Sequence, residues 1–235
     1  MQTMPSTSRQ RHAQAAALVL CFAVTGCATV APTIPQDIAA TGTAFKVRSA
    51  GRMYQLFGKG YFQVGSYGVT GIHHDISMGN ELSIGQYSQA SATGRFTFAI
   101  ASPRSSWSAQ CDRQFQSRAI ALRRVDLAST KRRLYCELGN GAQRASLELH
   151  DNAKGQFGTV RINDTSYDMR HYDNPALRVA YAPDALGLRI DRGGRNVAAL
   201  AYDHPGTFWI NTALAPEQQD AFAAVLAALL INARN

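Results

Sequence analysis

Charge is scarce in this chain. Asp, Glu, Lys and Arg make up 17% of its 235 residues, against 46% hydrophobic ones. That balance excludes a disordered, self-repelling polymer and places the chain among globular proteins. The signatures of common enzyme chemistries are missing as well. There is no His-Glu-x-x-His, no P-loop and no Gly-x-Gly-x-x-Gly fingerprint. No Gly-x-Ser-x-Gly elbow supports a hydrolase triad. The four cysteines include no Cys-x-x-Cys pair, so a cysteine metal site has no local support. Neither a metal nor a cofactor is therefore expected, and no catalytic set is assigned. No apolar run approaches the roughly 20 residues of a membrane-spanning helix. No internal repeat of fixed period is present.

What is present begins at the N-terminus. Arg9 and Arg11 form a basic stretch, and Ala13 to Val24 an apolar one interrupted by Gln14. This is the pattern of an export signal. Val24-Thr25-Gly26-Cys27 closes it and resembles the lipobox of bacterial lipoproteins. The resemblance implies cleavage before Cys27 and acylation of its thiol. Residues 1–26 are then a signal peptide, 27–42 a lipidated tether with Pro32 and Pro35, and 43–235 one domain. Multiple acyl chains make a stable anchor, each buried CH₂ adding about 0.8 kcal/mol. Ala28 follows the Cys, where Asp usually marks inner-membrane retention, so the pattern is similar to that of outer-membrane lipoproteins facing the periplasm. An ordinary secreted protein is the competing reading.

Cys21 leaves with the signal and Cys27 takes the lipid, so Cys111 and Cys136 remain. An even pair in an oxidising compartment reads as a disulfide. Between them lie Arg113, Arg118, Arg123, Arg124, Lys131, Arg132 and Arg133 against Asp112 and Asp126, a local excess of five positive charges. The whole chain carries +8 and loses two with Arg9 and Arg11. This segment thus holds nearly all the excess of the mature chain. Arg118, Arg123, Arg124, Lys131, Arg132 and Arg133 form a candidate patch for anionic lipid or an envelope protein. Nucleic acid is not an expected partner there.

The remaining sequence reads mainly as strands. Expected strands fall at 44–48, 53–57, 61–64, 81–87, 95–100, 107–111, 119–127, 134–138, 145–149, 157–162, 166–169, 178–181, 187–190, 197–202 and 208–210, with shorter signals at Tyr67 and Val69. Met78-Gly79-Asn80 reads as a turn, and Asn140-Gly141 as a hairpin. Ala221 to Ile231 is different: eleven consecutive apolar residues, rich in Ala and Leu, behind Pro216 and Glu217. A helix apolar on every side must be buried on every side. The expectation is an antiparallel barrel of about twelve strands around a C-terminal helix. This outline is similar to the tubby-like fold shared with phospholipid scramblases, which implies that same architecture and transfers no site residue. A lipocalin-like barrel or a β-sandwich is the alternative.

His73-His74-Asp75 and the Asp168, His171, Asp173 group are the candidate polar clusters. Adjacent histidines on a strand face opposite ways unless Gly71 bends it. Two function classes follow. One is a non-enzymatic envelope lipoprotein that scaffolds or binds an amphiphile, an anionic lipid or a protein. The other is a periplasmic, hydrolase-like enzyme using His73, His74 or His171 with a nearby Asp.

Overall fold

The structure is a computed structural model that describes residues 36–49, 60–75, 78–122, 125–152, 155–172, 187–202 and 206–233. The chain divides into two compact units, Met1–Ala31 and Pro32–Asn235, the first outside the described residues. The expected strands at 53–57 and 178–181 also lie outside them.

The described residues of the second unit form thirteen strands and two helices. A short helix α1 (Gln36–Thr41) leads into β1 (Gly42–Ser49), β2 (Gly60–Val64), β3 (Tyr67–His74), β4 (Met78–Ile84) and β5 (Tyr87–Ala101). Two long strands follow, β6 (Ser106–Leu122) and β7 (Val125–Gly139). Then come β8 (Arg144–Asn152), β9 (Gly155–Ile162), β10 (Thr165–His171), β11 (Gly187–Arg192), β12 (Arg195–Ala201), β13 (Thr207–Asn211) and α2 (Pro216–Ala233). Neighbours pair antiparallel in chain order, β1 pairs with β13, and β3 pairs with β5 past β4. Twelve strands therefore close into a ring, with β4 outside it.

The ring encloses α2. Every residue from Asp220 to Ile231 is buried, and the helix shares one apolar cluster with side chains from all around the ring. Tyr167 meets Phe222 edge to face, 5.0 Å between ring centres. This is the expected barrel, and the lipocalin-like and sandwich alternatives give way because the helix lies inside. The outer face carries Arg48, Gln63, Gln110, Glu137, Glu148 and Arg161, all exposed. An apolar interior and a polar exterior reverse the pattern of membrane-spanning barrels.

One end of the barrel is closed by polar contacts. Asp220, in the first turns of α2, is 3% exposed. Its carboxylate accepts bonds from Arg104 Nη2 at 2.8 Å, Ser105 Oγ at 2.8 Å and Ser102 Oγ at 3.1 Å, all from the β5–β6 turn. The end of the expected tether is not extended: residues 36–41 form α1. Ile38 is fully buried there beside Gly42, and the Asn196 amide donates to the Asp37 carboxylate.

Cys111 and Cys136 face each other across β6 and β7 and form the expected disulfide, Cα to Cα 4.1 Å, fully buried. The 25-residue separation corresponds to about 3–4 kcal/mol in the chain-entropy model. Asn140-Gly141 does turn between β7 and β8, with Gly141 at φ +86°. Two strand expectations are corrected. Residues 78–80 belong to β4, and the turn falls instead at Gly85, φ +59°, which splits the expected 81–87 strand. The expected 119–127 strand spans two antiparallel strands, with Leu122 paired to Val125.

Candidate functional site

The long strands explain the basic segment. β3 pairs with β5 only over Phe96 to Ala101, and β8 pairs with β7 only from Arg132 onward. Beyond those points β4, β5, β6 and β7 continue as a four-stranded arm that leaves the ring. From Arg113 to Leu122 the arm extends about 30 Å, at roughly 3.4 Å per residue. Among the described residues no second layer is stacked on this sheet, so each face carries its own chemistry.

The register assigns those faces. Ile84, Tyr87 and Ile120 are paired in one row, and Leu82, Gln89, Arg118 and Ser129 in the next. Asn80, Ser91, Gln116 and Lys131 follow, then Thr93, Gln114, Arg133 and His150. All belong to one face, continuous with the outside of the barrel. Its tip is apolar and open: Ile84 is 65% exposed, Leu82 55% and Ile120 43%. Its middle is basic. Arg118 and Lys131 are exposed and have no carboxylate partner among the described residues. Arg133 Nε donates to His150 Nδ1 at 3.2 Å, and His150 in turn meets Glu148 at 2.8 Å.

The opposite face continues the barrel interior. Arg132 is on it, and so is Arg113. Arg132 lies 3.9 Å from Asp151, with its Cζ 5.9 Å from the Phe115 ring centre. The six cations expected as one patch therefore divide. Arg118, Lys131 and Arg133 share the outer face, Arg132 takes the inner one, and Arg123 and Arg124 lie outside the described residues. The strand period of two separates Arg132 from its neighbours.

The histidine clusters do not converge. Gly71, at φ +61°, sits in a register shift of β3, the bend anticipated there. His73 and His74 still face opposite ways. His73 lies 3.5 Å from Asp75, both exposed. His74 turns inward beside Phe96, 5.8 Å between ring centres. Burial first, then the Arg113 and His73 charges, holds its pKa below the usual histidine range. His171 ends β10, which stands six strands from β3 in either direction round the ring. These histidines are therefore on opposite sides of the barrel. Asp168 and His171 also point to opposite faces of β10, and Asp173 lies outside the described residues. At the inner rim His171 Nδ1 meets Gln156 O at 3.2 Å, and the Gln156 amide donates to Asp151 at 3.3 Å. Tyr202 donates to Gln156 Oε1 at 3.2 Å, and its burial pushes its hydroxyl pKa far up.

Sequence reasoning found the excess charge but missed Arg113 as a rim residue and the exposed row at Leu82, Ile84 and Ile120. The signal for the first two of that row was the Leu82-Ser83-Ile84 alternation before Gly85. Cys27 and the lipobox lie outside the described residues. Comparison with protein-family models, with curated proteins and with solved structures finds no match to this chain, so the arm's own chemistry carries the functional reading.

Proposed function

We propose that the chain is a lipid-anchored lipoprotein of the bacterial cell envelope, with a non-enzymatic scaffolding or binding role. Its arm engages an anionic lipid surface. The observation that carries this reading is the pairing, on one face, of exposed Leu82, Ile84 and Ile120 with Arg118 and Lys131. Arg123 and Arg124 add charge at the same end of the hairpin by their place in sequence. Each basic residue near an anionic leaflet contributes about 1 kcal/mol, so four give a binding energy on the order of 4 kcal/mol. Apolar side chains at the tip add burial in the interfacial region. A protein partner would leave that combination unexplained, since a soluble acidic surface gives the apolar tip nothing to enter.

The test uses the full-length chain carrying Cys27→Ala, so that no acyl chain contributes. Vesicles of phosphatidylcholine with and without phosphatidylglycerol are sedimented with it. Binding should require phosphatidylglycerol and fall steeply as salt rises, because exposed charges are screened within about 8 Å at physiological ionic strength. Replacing Arg118, Arg123, Arg124 and Lys131 with Ser should abolish it. Salt-insensitive binding, or equal binding by that variant, would remove the lipid-surface reading.

A further inference from the structure

We infer that the inner rim of the barrel, where the arm leaves the ring, is a second site, one that holds the phosphate or carboxylate head of a single anionic amphiphile. It uses the face opposite the lipid-surface patch and does not depend on it.

The register brings the parts together. On the inner face His74 pairs with Phe96, Phe96 with Cys111, and Arg113 follows two residues along β6. Phe115 is two residues further and pairs with Arg132. Arg113 Cζ stands 5.3 Å from the Phe96 ring centre, and the His74 ring is 5.8 Å from the same centre. Arg113 is half-buried, yet among the described residues it has no hydrogen bond and no carboxylate; the Phe96 ring is its one described partner. His74 Nδ1 is buried with no hydrogen-bond partner among the described residues. A guanidinium held half out of water without an acceptor is costly, and an anion supplies one; His74 adds a second donor in the tautomer that carries its proton on Nδ1. Burial holds the Arg113 pKa below the usual guanidinium range, as expected where positive charge is under-compensated. Arg132 supplies a second guanidinium from across the sheet. Asp151, 3.9 Å from it, also accepts the Gln156 amide and so only partly offsets that charge.

The surroundings select an amphiphile over a free anion. Past Phe115 this face runs up the arm through Ala92, Ala90, Ser117 and Ala119, each half-covered, with the exposed Glu81 at its edge beside Ala90. A head group held at Arg113 leaves its tail lying on the Phe115 ring and along this small-residue track. Such a track accepts a chain of any saturation because it makes no directional contacts.

The experiment again uses the full-length Cys27→Ala chain, titrated calorimetrically with dodecyl phosphate below its micelle concentration, with inorganic phosphate and with dodecanol. One dodecyl phosphate should bind per chain, about tenfold more tightly than inorganic phosphate, and dodecanol should not bind. Loss of a charge-assisted contact in Arg113→Gln should weaken dodecyl phosphate by about tenfold, while Arg113→Lys keeps part of the affinity. Ser117→Glu, on the track and away from the core, should weaken dodecyl phosphate and leave inorganic phosphate unchanged. It carries the test if Arg113→Gln does not fold. Arg118→Ser with Lys131→Ser should weaken vesicle binding and leave dodecyl phosphate untouched, so the two sites fail independently. No saturable binding, or undiminished binding by both Arg113→Gln and Ser117→Glu, overturns the site. Equal affinity for inorganic phosphate overturns the assignment to an amphiphile.

Discussion

Asp220 shows how much one side chain can depend on residues remote in sequence. Next to Glu217 it reads as a charge placed to suit the positive end of a helix dipole. In the fold it is also the acceptor for Ser102, Arg104 and Ser105, more than 100 residues earlier. No local pattern announces that contact, because its donors come from an unrelated turn. Burial alone would raise the Asp220 pKa, but hydrogen bonds from Arg104, Ser105 and Ser102 outweigh it and hold it below the usual carboxylate value. A pKa depressed in the folded state stabilises above the unfolded pKa, near 3.8, and that stability is lost as pH falls through the folded pKa. Melting temperature should therefore drop for the native chain between about pH 4 and pH 2, and drop less for Asp220→Asn, which is already weakened at neutral pH. Asp220→Ala removes the acceptor shared by two half-buried hydroxyls and the exposed Arg104 guanidinium, and should cost about 2 kcal/mol at pH 7. A parallel acid dependence in native chain and Asp220→Asn would show that other carboxylates set it. Tyr67, whose pKa is pushed up to about 12 by burial and then by Asp220, extends the same cluster.

At the scale of elements, legibility followed burial. The helix α2 was readable because an eleven-residue apolar run permits no exposed face, and the buried halves of the ring strands were readable from alternation. β6 and β7 were not. From Asp112 to Arg118 only Phe115 is apolar, since in the arm neither face is buried in a core and the period-two signal fades. The arm was therefore split into short fragments, and its two-faced division of charge could not be seen. Gly158 lies inside the expected 157–162 strand, and nothing in the sequence says why it is glycine. The structure shows that a Cβ there would overlap the Glu148 carbonyl on β8, so glycine permits the close approach. The weight of α2 can be measured directly. Leu226→Asp or Leu229→Asp places an unpaired carboxylate on the barrel axis, at a cost of several kcal/mol. Against a total of about 5–15 kcal/mol, the domain should unfold or fail to accumulate. Truncation before Ala221 should do the same, because the ring would lose its filling. Normal near-UV CD and an unchanged melting temperature in the truncated chain would make α2 a peripheral element.

At the scale of the whole molecule, the proposed lipid anchor and the proposed lipid-binding arm would act in one binding scheme. Eight residues separate Cys27 from the start of α1. The register places the start of β1, and with it α1, at the end of the ring opposite the arm. An anchor at Cys27 would therefore hold the domain from one end, and the arm, at about 4 kcal/mol and on its own only millimolar, would grip from the other. The anchored protein should consequently stay with the membrane fraction at any salt concentration, because the acyl chains do not respond to ionic screening. Cys27→Ala should lose acyl labelling and divide with salt. A residue of membrane-bound protein should persist at low ionic strength, held by the arm, and should wash off as salt rises. Adding Arg118→Ser, Arg123→Ser, Arg124→Ser and Lys131→Ser to Cys27→Ala should remove that residue at every salt concentration. Fractionation of cells labelled with a palmitate analogue reads both steps. Unchanged labelling in Cys27→Ala would sink the lipoprotein assignment. Loss of labelling with no salt-dependent residue would keep the anchor and deny the arm its membrane.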